Sequence, residues 1–439
     1  MTDTSSDYQH FANAVVLLGE QQDVVAIQSI FNTKGVKIVD KGVAINSALY
    51  ERLMRHRLAT PLEESVHSSS TVKGETLKNS AEAIMRDTPF FGRMASDEKT
   101  RKMLLNVIET VPLPDSMAFQ LTVAHDVRPE IYQHLVRTAL TAAWLTRTPL
   151  VSRYDLGMAA AGGLLHDVGM LHVDPMLLQP DRTLNRDQRR QLYSHPLVST
   201  ALLERHHQYS RDVVRAVGEH HEYLDGSGYP RNLSGDAISP LGKILSLSQV
   251  VAAMFSPGRS APEMRLSVLL RMNTHRYDAT MSMQVVALLR PQLDVMGAEI
   301  PRLPNPVELL CEIDGLVGQW PLNLGGQVVV SDARREAMGL LANHATQIRR
   351  ALAAVGAVPD QLSQLGDAAL DDAVSIELTL LTHEAAWQLR ALARQTRQRW
   401  RMLAPERFPT VLQLWLDQVD AVASRVSGVA ATDGVSEDV

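Results

Sequence analysis

The chain has 439 residues, 45% of them hydrophobic and 21% charged, with a formal net charge of −6 and one cysteine, Cys311. That length suffices for two or three globular domains at roughly 100–200 residues each. The acidic balance argues against general nucleic-acid binding through a basic surface, leaving only local patches, so no DNA binding is expected, and the lone cysteine excludes an internal disulfide and fits a reducing cytoplasm. No apolar run reaches the roughly 18–20 residues that span a bilayer, and the first residues lack the pattern of a secretory signal. A soluble, cytoplasmic protein is expected.

In chain order, residues 1–118 read as a small mixed module with an accessory or regulatory role. Apolar and polar positions alternate on both sides of Lys41-Gly42, between Gly35 and Ile45, which predicts a hairpin there. Helices are predicted over about 47–58, 76–86 and 97–110, with the polar run His67 to Lys73 as a loop. From about residue 114 to 293 the pattern is nearly all helical, with apolar side chains three and four apart. The segments are 129–147, 155–166, 186–207, 211–221, 241–255, 262–272 and 280–293. Ala159, Ala160, Ala161, Gly162 and Gly163 are too small to make a core alone, but they let another helix approach closely.

The rest opens on the proline-rich segment Pro301 to Pro306. A strand is predicted at 327–330, then long helices over 332–355 and 367–402 and a shorter one near 410–426. Arg394, Arg397, Arg399 and Arg401 suit a helix C-terminus, where cations oppose the dipole. Docking of a protein partner is the sharper alternative for them. The tail 430–439 is acidic and rich in small residues, so disorder is expected.

Nine of the fifteen histidines fall between His125 and His221. A lone histidine on an amphipathic helix is ordinarily a packed or surface residue; here the grouping carries the signal. Glu130 and His134 lie four apart and share one helix face. His166 and Asp167 are neighbours, so both reach one ion only near a helix end, and Gly169 supplies a stop. His195 follows, then His220-His221-Glu222. Ligands on successive helices, about 25–35 residues apart, suit a bundle whose facing helices converge on metal. Mixed imidazole and carboxylate donors favour two or three divalent ions, iron or manganese first with zinc, cobalt or nickel as alternatives, over calcium or magnesium.

His166-Asp167 together with His220-His221-Glu222-x-x-Asp225-Gly226-Ser227-Gly228-Tyr229-Pro230 resembles the HD-GYP subgroup of the HD-domain metal phosphohydrolases. The resemblance spans about 119–300 and implies a mainly α fold. A central HD-type helical bundle would be flanked by the mixed N-terminal module (1–118), a C-terminal helical region (301–429) and the tail (430–439). It also implies hydrolysis of cyclic di-GMP by a metal-activated hydroxide. Carried over by position, His134, His166 and Asp167 hold one ion and Asp167, His195, His220 and His221 a second, with Asp167 bridging. Glu130 helps position a third. His166 and Asp167 carry the catalytic role, and Tyr229, Asp225, Gly228, Pro230 and Arg259 contact the nucleotide.

The sequence departs from the family pattern in named places. Met170 stands where the family writes lysine, and Gln249 stands where it carries its last metal-binding aspartate, which makes Gln249 a weak or absent ligand. Tyr223 replaces a common arginine, and the segment after residue 254 offers only Arg259. Two readings follow: a cyclic di-GMP phosphodiesterase, with activity reduced by these changes, or a degenerate domain acting as a signalling receptor or scaffold. A protein partner through either terminal region and a homodimer are further expectations.

Overall fold

The computed structural model describes residues 4–148, 150–179, 184–291, 300–320, 332–365, 372–403 and 410–427. The described chain is mainly helical, with strand pairing confined to two short antiparallel pairs. It falls into two compact units that meet in sequence at Pro257 and Gly258. Among the described residues, no helix is long and apolar enough to cross a membrane.

The first unit begins with α1 (Thr4–Gln21), whose Phe11, Val15 and Leu18 are buried. Four strands follow: β1 (Val24–Ala26), β2 (Ile30–Phe31), β3 (Lys37–Val39) and β4 (Val66–Ser68), with α2 (Ser47–Met54) between the last two. β2 pairs with β3 across the turn at 32–36, which Asn32 ties by accepting from the backbone N–H groups of Lys34 and Val36. The hairpin predicted at Lys41-Gly42 is therefore displaced by one turn. β1 pairs with β4, so the predicted loop beginning at His67 starts as a strand. Local polarity hid that pairing because strand formation depends on what lies opposite.

The helical body then accumulates as α3 (Gly74–Asp87), α4 (Pro89–Met94), α5 (Glu98–Glu109), α6 (Asp115–Val127), α7 (Pro129–Thr146) and α8 (Arg153–Leu165). It continues with α9 (Arg186–Leu192), α10 (His195–Leu203), α11 (Arg211–Val217) and α12 (Pro240–Met254). Side-chain caps start several of them: Asp97, Ser152, Ser210 and Ser239 each accept a backbone N–H from the first turn. α7, α8 and α12 pack against one another, and α11 joins them on α8 and α12. A Cβ at Gly163 would lie 2.7 Å from the Cα of Ala139, so only glycine permits the close crossing of α7 and α8. The segment predicted as one helix over 186–207 is two, because the chain breaks at Tyr193-Ser194 and restarts with Pro196 in the first turn, where proline is favoured.

The second unit holds α13 (Pro262–Met272), α14 (Ala279–Leu288), α15 (Pro306–Gln319), α16 (Asp332–Ala354), α17 (Pro359–Leu362), α18 (Asp372–Leu403) and α19 (Thr410–Ser427). The long α18 packs on α13, α15, α16 and α19, burying Leu310, Ile313, Ile348, Leu389, Leu392 and Val419 in one core. Of the basic residues near its end, Arg397 is paired with Asp420 of α19 at 2.5 Å. The strand predicted at 327–330 and the tail 430–439 lie outside the described residues.

Candidate metal centre

Four elements of the first unit deliver imidazoles to one place. His134 lies one turn into α7, and α8 ends at Leu165, so His166 and Asp167 leave the helix there. His195 opens α10, while α11 stops at Val217 and a tight turn carries His220 and His221. Gly169 lets this assembly close: a Cβ there would stand 2.4 Å from the carbonyl oxygen of His195. Its N–H donates to the Ser199 hydroxyl at 2.9 Å.

Asp167 is the hub. Its Oδ2 lies 3.2 Å from Nε2 of His166 and 3.6 Å from Nε2 of His134. Its Oδ1 lies 3.1 Å from Nε2 of His195 and 3.2 Å from Nε2 of His220. Ligand atoms of His134, His166 and Asp167 thus form one tight group, and those of Asp167, His195, His220 and His221 form another, with the aspartate common to both. His166, His195, His220, His221 and Asp167 are all buried, and His134 is nearly so.

The orientation of three of these rings is fixed from behind. Nδ1 of His166 donates to the Gly163 carbonyl at 2.8 Å, Nδ1 of His195 to Leu192 at 2.7 Å, and Nδ1 of His220 to Val217 at 2.6 Å. Each bond reaches back three residues and consumes the single proton of a neutral ring, so each Nε2 turns a bare lone pair inward. Burial drives the His134 pKa down to about 3, helped by the charge of Arg137. Burial likewise drives His220 down to about 4 and His221 well below its ordinary value. For Asp167 burial opposes ionisation, and positive charge at the adjacent His166 and His195 positions is what outweighs it and holds the carboxyl well below the usual carboxylate range.

These donors fit a divalent cation. Oδ1 of Asp167 is buried without a hydrogen-bond partner although two imidazole nitrogens stand within 3.2 Å. Lone pairs converging on one another in a dry site are repulsive unless a positive charge lies among them. Neutral histidine nitrogens with a shared carboxylate form a borderline-soft donor set, which suits transition ions rather than calcium or magnesium.

The remaining predicted residues are distributed unevenly. Glu130 lies outside both groups: its side chain is 56% exposed and Arg128 donates to it at 2.6 Å. Gln249 is 3% exposed within α12, and Met170 is 2% exposed in the 3-10 turn after Asp167. Tyr229 stacks on His221 with ring centres 4.5 Å apart, and on Tyr193 at 4.3 Å, so both faces of its ring are covered. Asp225 shapes the turn before it by accepting from the N–H and hydroxyl of Ser227. Gly228 packs where a Cβ would lie 2.3 Å from the His221 carbonyl oxygen, and Pro230 follows Tyr229 in a cis peptide. Arg259 belongs to the second unit.

Glu222, present in the motif but given no role there, accepts the N–H groups of Arg231 and Leu233 at 2.7 and 2.8 Å, which fastens the Tyr229 loop beneath His221. Glu219 accepts from Arg215, Arg231 and the N–H of Ser239, joining that loop to α11 and α12. Tyr193 and Arg137 were also unremarked; the only sequence signal for Arg137 is its place three residues after His134 on an otherwise apolar stretch.

Comparison with known proteins agrees with this geometry. Residues 119–281 match the HD domain family. The chain is 25% identical over 259 residues to the 3'3'-cGAMP-specific phosphodiesterase 3 of Vibrio cholerae, covering 57% of this chain and 56% of that protein. It is 32% identical over 142 residues to a cyclic di-GMP phosphodiesterase of the same species, covering 31% of this chain and 28% of that one. A cyclic di-GMP phosphodiesterase of Pseudomonas aeruginosa is 35% identical over 99 residues, 22% of this chain and 24% of that protein. The chain thus spans about half the length, or less, of the curated relatives it matches. A solved HDG"Y"P protein of Bdellovibrio bacteriovorus aligns at 15% identity and a TM-score of 0.35, over 61% of this chain and 95% of that one, a likeness too slight to place any residue. Residues 119–281 are thus similar to the HD domain family, the described residues there bring a histidine and aspartate cluster together, and proteins named as cyclic-dinucleotide phosphodiesterases are among the relatives.

Proposed function

We propose that this chain is a metal-dependent phosphodiesterase that opens a cyclic dinucleotide, with cyclic di-GMP as the substrate and 3'3'-cGAMP as the alternative that the Vibrio relatives introduce. The observation that carries the reading is Asp167, one buried carboxylate shared by two groups of imidazole lone pairs. Two divalent ions held there, iron or manganese, would neutralise the phosphodiester, lower the pKa of a bound water and align in-line attack.

The protein's own contributions are positional. Asp167 offers one oxygen to each group, and the backbone carbonyls of Gly163, Leu192 and Val217 keep His166, His195 and His220 in the donor tautomer. Glu130 sits apart, which favours two ions over three. With both ring faces occupied, Tyr229 meets a nucleotide by its edge or hydroxyl rather than by stacking. Asp225, Gly228 and Pro230 hold that edge in place.

A second reading, a domain that binds the nucleotide without turning it over, is favoured by Met170 and Gln249, both buried and uncharged. Chromatography of cyclic di-GMP and 3'3'-cGAMP incubated with the manganese- or iron-loaded full chain separates the two. Linear dinucleotide or mononucleotide product supports hydrolysis. Saturable binding with no product supports the receptor.

A further inference from the structure

Arg137 is a buried cation for which the described residues provide no anion. Its residue is 8% exposed, and both Nε and Nη1 are sequestered from solvent without a hydrogen-bond partner. Burial pushes its pKa down and no carboxylate offsets that effect. A guanidinium nevertheless keeps its proton under all ordinary conditions. Enclosing such a charge unpaired is costly, and proteins ordinarily avoid it unless a ligand completes the pairing.

Its position says where that ligand arrives. Arg137 follows His134 by three residues on α7, so the two side chains project from neighbouring positions on one face. Residues 154–172, which carry the other half of that ligand group, contain no lysine or arginine. Across α7 and residues 154–172, Arg137 is the single lysine or arginine.

We propose that Arg137 is an anion-receiving group of the centre, donating guanidinium N–H groups to the non-bridging oxygens of a phosphate ester drawn to the His134, His166 and Asp167 side. The assignment of that ester to a substrate rests on the phosphodiesterase reading; the anion site itself does not. Arg137 binds and orients the phosphate, and it pairs with the ligand rather than with any side chain of the described residues.

The test uses the manganese-loaded full chain titrated calorimetrically with inorganic phosphate, with metal content and melting temperature measured on each sample. Arg137→Gln is expected to weaken phosphate binding about tenfold or more, the worth of lost charge-assisted hydrogen bonds. Metal content should be unchanged and the melting temperature equal or higher. Arg137→Lys should restore part of the affinity, because it returns the charge without the fork. Equal phosphate affinity in the wild type and Arg137→Gln overturns the proposal, as does metal loss in step with phosphate loss, or a wild type that binds no phosphate. Should Arg137→Gln fail to fold, Arg137→Lys decides: several-fold weaker phosphate binding at full metal content supports the proposal, and unchanged binding overturns it. Arg137-dependent phosphate binding without cyclic dinucleotide turnover would retire the phosphodiesterase reading and leave the anion site standing.

Discussion

Oδ1 of Asp167 and Nε2 of His195 approach to 3.1 Å with no proton between them in the neutral tautomer, because the His195 ring proton is committed to the carbonyl of Leu192. His220 repeats the relationship at 3.2 Å, with its proton committed to Val217. This arrangement is repulsive by itself and becomes favourable around a cation. The protein has fixed the donors first and relies on the ion to join them.

Replacing the hub should therefore empty both groups together. Asp167→Ala is expected to lower metal affinity more than about 100-fold, beyond the effect typical of an outer-shell change. Metal analysis after dialysis against a weak chelator gives the answer. Retention of full metal content would refute the shared-carboxylate arrangement.

Gln249 offers an amide oxygen where the family resemblance places an aspartate. If that position faces the His134 group, Gln249→Asp adds formal charge to a dry site and should tighten manganese binding about tenfold or more. Competition with a fluorescent chelator measures the change. An unaltered affinity would mean that Gln249 does not reach an ion.

Acid should destabilise the metal-free protein well before carboxylates titrate. The His134 and His220 pKa values lie at about 3 and about 4 in the folded chain, against 6.5 for a free imidazole. Below 6.5 and above those folded values, the unfolded chain holds more protons, so stability falls as pH falls through that window. The contribution is complete above 6.5. A loss on the order of a few kcal/mol is expected between about pH 7 and pH 4.5, read from denaturant midpoints. A flat stability profile across the window would contradict neutral burial of these rings.

The crossing of α7 and α8 leaves no room for a methyl group. Gly163→Ala would bring a Cβ within 2.7 Å of the Ala139 Cα, and Gly163 also supplies the carbonyl that orients His166. Thermal denaturation should register a loss of roughly 1–3 kcal/mol, accompanied by weaker metal binding. Normal stability and metal content would show that the helices can separate freely.

Much of this was legible in the sequence, and the gaps have physical causes. Helices with one apolar stripe, such as α3, α5 and α13, were placed to within a few residues. The histidine grouping pointed to metal because its members recur on successive helices. α6 escaped because Ser116 to Ala124 is buried on every side and so shows no amphipathic period. The break before α10 escaped because Tyr193-Ser194 carries no strong breaker of its own. Arg137 escaped because an arginine in a helix is normally solvated, and only the folded structure reveals one buried without a partner. The stack of Tyr193 on Tyr229 joins residues 36 apart, a pairing that no local pattern encodes.

The most direct test of the central claim is the metal stoichiometry of the anaerobically purified full chain, with cyclic dinucleotide turnover followed on the same sample. The account predicts about two ions per chain, together with product from cyclic di-GMP or 3'3'-cGAMP that vanishes in Asp167→Ala. A chain that remains essentially metal-free after loading and yields no product would contradict it.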